Sequence, residues 1–239
     1  MDANTHSPHR LGHIVTALVL CGGIAAMATI AATSKGTRQA PATREQRQKA
    51  DQVRATSGIR AAAAVNGSYV KNDTVDDVAV ALDINSLLSR SDIVARGVIK
   101  SNVSHVSEDG AWVVTDYVFS IAEELFSPDK HGATIHFRLP GGRVEWDDGT
   151  YADIKIPGFR HPLNGKEYLL FLAKDNGPRP HDAERYKLAM GSQSAFELGS
   201  DGLATALGKK IFPVAKKYDQ EPSVTLLNDI RDLVRSRVR

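Results

Sequence analysis

The sequence predicts a mainly β fold: a small barrel or sandwich of six to eight short strands, with an apolar helix at the amino terminus, a short helix before the strands and one helix after them. Three observations carry this expectation. Between residues 87 and 215, apolar side chains alternate with polar ones in short runs, and Gly, Pro and Asp punctuate them. Residues 14–32 form a nearly unbroken apolar stretch of 19 residues, just long enough to cross a bilayer as a helix. Near the carboxyl end, Leu226, Leu227, Ile230, Leu233, Val234 and Val238 recur at helical spacing.

The elements follow in order. Residues 83–88 read as a short helix capped by Asp83 or Asn85. Residues 93–106 read as a strand, and Glu108-Asp109-Gly110 as a hairpin turn. Residues 112–123 are the clearest strand, with Tyr117, Phe119 and Ile121 on one face. In residues 133–139, Ile135, Phe137 and Leu139 point inward and His136 outward. Residues 143–146 and 152–156 form a short hairpin. Residues 167–173, EYLLFLA, read as a strand buried on both faces, followed by strands at 186–190 and 195–198. The tail helix starts near Ser223, a good cap.

Composition divides the chain into residues 1–32, a signal peptide or membrane anchor; residues 33–75, a flexible tether, partly helical around residues 44–54; residues 76–215, the β domain; and residues 221–239, the terminal helix. Ala26-Met27-Ala28 offers a signal-peptidase site, so a cleaved signal and a retained anchor both fit. Leu20 before Cys21 does not match a lipoprotein signal, and one cysteine permits no intrachain disulfide. Lys35, Arg38, Arg44, Arg47, Lys49 and Arg54 follow the apolar stretch, and the positive-inside rule would keep that flank in the cytoplasm. Residues 87–215 carry 15 basic against 17 acidic side chains, so no nucleic acid is expected as a partner of the core.

With the order of elements in hand, a resemblance can be given. Ser91-Asp92-Ile93-Val94-Ala95-Arg96-Gly97-Val98, the aromatic strand Tyr117-Val118-Phe119-Ser120-Ile121 and the Leu125-Phe126 exit resemble the opening of the netrin-like domains. These are OB-type barrels also found in tissue inhibitors of metalloproteases. Residues 157–159 and 165–172 are similar to a pattern in uncharacterised exported bacterial proteins. The resemblance spans residues 84–173 and implies an OB-like barrel and an extracytoplasmic core. Those inhibitors chelate their target's metal through an N-terminal cysteine, and this core has no cysteine, so the resemblance implies fold rather than activity.

Few residues suggest chemistry. Glu145, Asp147, Asp148 and Asp153 place four carboxylates around one turn, the oxygen-rich pattern a hard cation wants, or else they are a solvated hairpin tip. His105, His131, His136, His161 and His181 show no zinc spacing, and Gly191-Ser192-Gln193-Ser194 is not a hydrolase elbow. Trp112, Trp146 and Tyr151 are candidates to stack on a ligand, or to close the ends of the barrel. No motif calls for a cofactor. The expectation is a membrane-targeted or exported, non-enzymatic module that binds a protein or a glycan in the cell envelope, with the membrane as a partner through residues 14–32 if they are not cleaved. The alternatives are a metal-dependent hydrolase using the four carboxylates with His161, or a structural envelope component.

Overall fold

The computed structural model describes residues 42–73, 79–129, 131–176, 185–209 and 211–237. The apolar stretch at 14–32, with Cys21 and the Ala26–Ala28 site, lies outside the described residues, as do His181, Val238 and Arg239. Among the described residues, no helix is long and apolar enough to cross a membrane.

Ten strands and four helices are described, so the mainly β expectation holds. The described residues open with α1 (Arg44–Asn66) and β1 (Ser68–Asn72). Next come α2 (Ile84–Leu88), β2 (Ile93–Val106), β3 (Val113–Phe126) and β4 (Thr134–Pro140). The hairpin strands β5 (Gly142–Glu145) and β6 (Tyr151–Lys155) precede β7 (Glu167–Lys174), β8 (Tyr186–Leu188), β9 (Ala195–Leu198) and β10 (Ala204–Ala206). Two helices, α3 (Pro213–Tyr218) and α4 (Ser223–Arg237), end the chain.

The main sheet has the order β10-β9-β7-β2-β3-β4-β8, and a second sheet the order β1-β6-β5. Neighbours in the main sheet run antiparallel except β4 and β8, which meet in parallel at Phe137 and Tyr186. Strand β8 also pairs antiparallel with β7, from Leu172–Leu188 to Lys174–Tyr186. Strand β2 shifts register against β3 at three places, and such bulges bend a strand and increase its twist.

Alternation sorts the side chains into layers. Ile93, Ala95, Ile99, Tyr117, Phe119, Ile135, Phe137, Tyr168, Leu170 and Leu172 form one cluster on the inner face of β2, β3, β4 and β7. The opposite face of β7 contributes Leu169 and Phe171 to a second cluster, under α2, α3 and α4. This is why EYLLFLA reads as buried on both sides. Leu226, Leu227 and Ile230 of α4 dock there, and Arg231 pins the helix to Glu123 at 2.7 Å. Asp83 caps α2 by accepting from the Ser86 amide at 2.7 Å.

Within the segment expected to be a partly helical tether, residues 44–66 are helix and residues 68–72 are strand. The two legs of α1 meet at Gly58, whose φ of 84° and ψ of 175° only glycine adopts readily. In a straight helix Gln46 and Asn66 would stand about 30 Å apart. Instead the Asn66 amide donates to the Gln46 carbonyl at 3.3 Å, so α1 doubles back on itself. Its buried residues, Ala50, Ile59, Ala62 and Ala63, join Val113, Ala152 and Ile154 in a third cluster. Strand β1 then runs parallel to β6.

Two further features were not predicted. Gln193, 1% exposed, accepts from the Ala81 amide at 2.8 Å and donates to the Ala79 carbonyl at 2.9 Å, clamping the approach to α2. Gln193→Ala leaves both backbone groups unpaired, and a loss of about 2 kcal/mol is expected in urea unfolding. An unchanged midpoint would refute the clamp. Strand β10 lies at the end of the sheet, and residues 219–221 fold back on it. The Ala204 amide donates to the Glu221 carbonyl, and the Gln220 amide to the Ala204 carbonyl. Asp219 accepts from the Ala206 amide. Gln220, with φ of 66°, is the single non-glycine residue of positive φ among the described residues.

Candidate functional site

Trp112, Trp146 and Tyr151, the candidates to stack on a ligand or to close the ends of the barrel, are all in contact with cations of their own chain. Trp112 and Trp146 pack on the third cluster. The Arg54 guanidinium lies 5.2 Å from the Trp112 ring and that of Arg60 5.8 Å from the Trp146 ring, both from α1. Arg143 sits 4.0 Å over Tyr151. Helix α1 is held there by little apolar surface. Each buried alanine methyl contributes about 0.8 kcal/mol and Ile59 about 3 kcal/mol. The amide of Ile59 also donates to the Gly110 carbonyl at the β2–β3 turn, at 2.8 Å. Asp51 accepts from the Tyr69 hydroxyl at 2.6 Å and from Lys71 at 3.2 Å, and Arg54 pairs with Asp73 at 3.0 Å.

The four carboxylates do not assemble. Glu145 pairs with Arg143 at 3.3 Å and Asp153 with Lys155 at 3.6 Å. Asp148 turns back on its own turn, accepting from the Thr150 amide and hydroxyl at 2.9 and 2.6 Å, which lowers its carboxyl below the usual range. Asp147 is exposed at the tip. Among the described residues, no group of three or more His, Cys, Asp or Glu could hold a metal ion. Proximity in sequence fails here because the tip of a hairpin splays its side chains while the strands commit theirs to cross-strand partners.

His161 makes its hydrogen bond to Tyr117 rather than to any of these acids. Its Nδ1 meets the Tyr117 hydroxyl at 2.8 Å, and its buried Nε2 faces the backbone of Pro140 and Gly141. Burial pushes the His161 ring below its usual range and the Tyr117 hydroxyl above its own. The pair fills the interior. Gly141 and Gly142, at φ of 87° and 124°, let the chain pass where a Cβ would strike Ile154 and Thr115.

The uncovered surface lies on the other side of β2, β3 and β4. Cross-strand register sets it out in three rows: Ser101, Val118 and His136; Val103, Asp116 and Arg138; His105, Val114 and Pro140. None of the nine is buried, none belongs to the three clusters, and Val103 is 65% exposed. At its centre the Arg138 fork holds Asp116 at 2.5 and 2.7 Å, and His105 Nε2 lies 2.8 Å from the same carboxylate. Burial alone would raise the Asp116 carboxyl. The bonds from Arg138 and His105 outweigh it and hold the group at about 2. No residue pattern announces this face, because it exists only once the register is known.

The depressed carboxyl has a consequence for stability. Its contribution is present above the unfolded value of about 4 and is lost as pH falls towards 2. Asp116→Asn is expected to lower stability by roughly 1 kcal/mol near pH 6, the solvent-screened scale for a pair this accessible, and to match the unaltered chain near pH 2. Urea midpoints of both proteins at several pH values check this, and a gap that stays constant with pH would contradict it.

No protein-family model matches the chain, and no curated protein sequence does.

Proposed function

We propose that the protein is a membrane-targeted or exported, non-enzymatic binding module of the cell envelope, built on an OB-type barrel, with a protein as its ligand. Counting β2, β3, β4, β7 and β8 as strands one to five, the pairings run 1-2-3-5-4-1, with strands three and five parallel. That order supports an OB-type barrel, a fold that binds ligands across the face of its second and third strands. The apolar stretch at residues 14–32 supports the targeting.

The observation that carries the reading is the open face around Val103, Asp116 and Arg138. It offers an exposed aliphatic side chain beside a paired arginine, on strands whose inner side is packed. Protein interfaces are enriched in arginine, which Arg138 supplies; lysine and glutamate, depleted there, are absent from the nine, while Ser101 and Asp116 are of types also depleted. A glycan would want exposed rings, and Trp112, Trp146 and Tyr151 lie against their own arginines. Glu145, Asp148 and Asp153 are each held by a different partner, so among the described residues the four carboxylates offer no shared coordination point.

A photo-crosslinking residue placed at 101, 103 or 136 of the full chain, in the cells that make it, tests this. One protein adduct shared by the three positions, and absent from position 224 on α4, is expected. Equal labelling at all four positions, or none, would sink the docking face. Binding to a glycan array without a protein adduct would reassign the ligand. Fractionation with protease accessibility tests the targeting separately.

A further inference from the structure

We propose that α1 is a releasable strap: it leaves the body of the protein as one unit, hinged at Gly67, and uncovers Trp112 and Trp146 while the seven-stranded sheet stays folded. This goes beyond the binding role of the open face and uses a different surface.

The contrast with α4 carries the inference. Helix α4 buries Leu226, Leu227 and Ile230 and is pinned by the Arg231–Glu123 pair. Helix α1 is longer, yet Ile59 is the one large side chain it buries; its other buried residues are alanines. The remaining contacts are of kinds that water can replace. They include the arginine cations over Trp112, Trp146 and Tyr69, the bonds of Asp51 with Tyr69 and Lys71, the Arg54–Asp73 pair and one amide bond to the Gly110 carbonyl. Segments with few buried apolar contacts and solvent-accessible bonds open at lower free energy than core strands.

The hinge is already present. Gly67 ends α1 in the left-handed region, at φ of 73°. Strand β1 beyond it is tied into the second sheet by five paired positions with β6, so it stays when α1 leaves. Release bares Trp112 and Trp146 together with Val113, Ala152 and Ile154, a contiguous aromatic and aliphatic platform whose closed-state occupant is the arginine-bearing helix itself.

The chain has two tryptophans and each ring is faced by an α1 arginine, so their emission responds to release of α1. Hydrogen exchange of the full chain, read by mass spectrometry, is expected to be at least about 100-fold faster in peptides from residues 44–66 than in peptides from residues 167–174. In urea, the tryptophan red shift is expected to precede loss of the sheet signal. Ile59→Ala should move the first transition to lower urea and leave the second in place. Equal protection of the two segments, or coincident transitions in the unaltered chain, would overturn the strap without any need for the variant to fold. If Ile59→Ala moves both transitions equally, α1 is part of the cooperative core and the proposal fails.

Discussion

Replacing Phe119 by alanine is expected to lower the unfolding free energy by about 3–5 kcal/mol. Phe119 is fully buried on the inner face of β3, and its ring meets that of Phe137 edge to face at 6.4 Å. Pairing β3 with both β2 and β4 fixes the backbone around it, so the walls cannot collapse into the space left behind. Loss of the transfer free energy then adds to a residual cavity. Equilibrium urea unfolding followed by far-UV circular dichroism measures the effect. A change below about 1.5 kcal/mol would mean that the site relaxes or that the inner cluster is loosely packed.

Gly97→Ala should do at least as much damage, about 3 kcal/mol or more, by overpacking rather than by a void. A Cβ at Gly97 would lie 2.1 Å from the Ser120 carbonyl oxygen and 2.9 Å from Phe119 Cζ. Side chains can yield at such distances, but a strand carbonyl cannot do so without breaking the β2–β3 pairing. The position falls beside one of the register shifts of β2. The double variant Gly97→Ala with Phe119→Leu separates the two contacts. If the ring were the obstacle, the shorter side chain would restore stability. No rescue is expected, because the carbonyl remains, and substantial rescue would show that the backbone contact is not limiting.

Much of the central fold was legible because strands of this kind declare themselves. Residues 93–106 and 195–198 match β2 and β9 end for end, and Tyr117, Phe119, Ile135, Phe137 and Leu139 lie inside as their alternation requires. Asp83 caps its helix and the leucines of α4 dock as their spacing predicts. Helix α1 was legible only over residues 44–54, because the residues it buries are mostly alanines, which read as linker composition when no large side chain marks a face. Strand β10 has three residues, too few to show a period. The surface chemistry was the least visible. Glu145, Asp147, Asp148 and Asp153 are close in sequence but diverge in space, whereas His105, Asp116 and Arg138 are distant in sequence and meet through strand register. Gln193 stood in a segment weighed only as a failed serine motif, and its amide serves the backbone instead.

The turn at residues 219–221 bears on how the molecule behaves in a crowded solution. A terminal strand with a bare row of amides and carbonyls is a template on which another chain can add, the first step of sheet-to-sheet aggregation. At β10 that row is already taken by Asp219, Gln220 and Glu221. Growth from this end of the sheet is therefore stopped by the protein's own chain, through the backbone of Gln220 and Glu221 and the Asp219 carboxylate. The left-handed conformation of Gln220 is the strain at which this seal is kept.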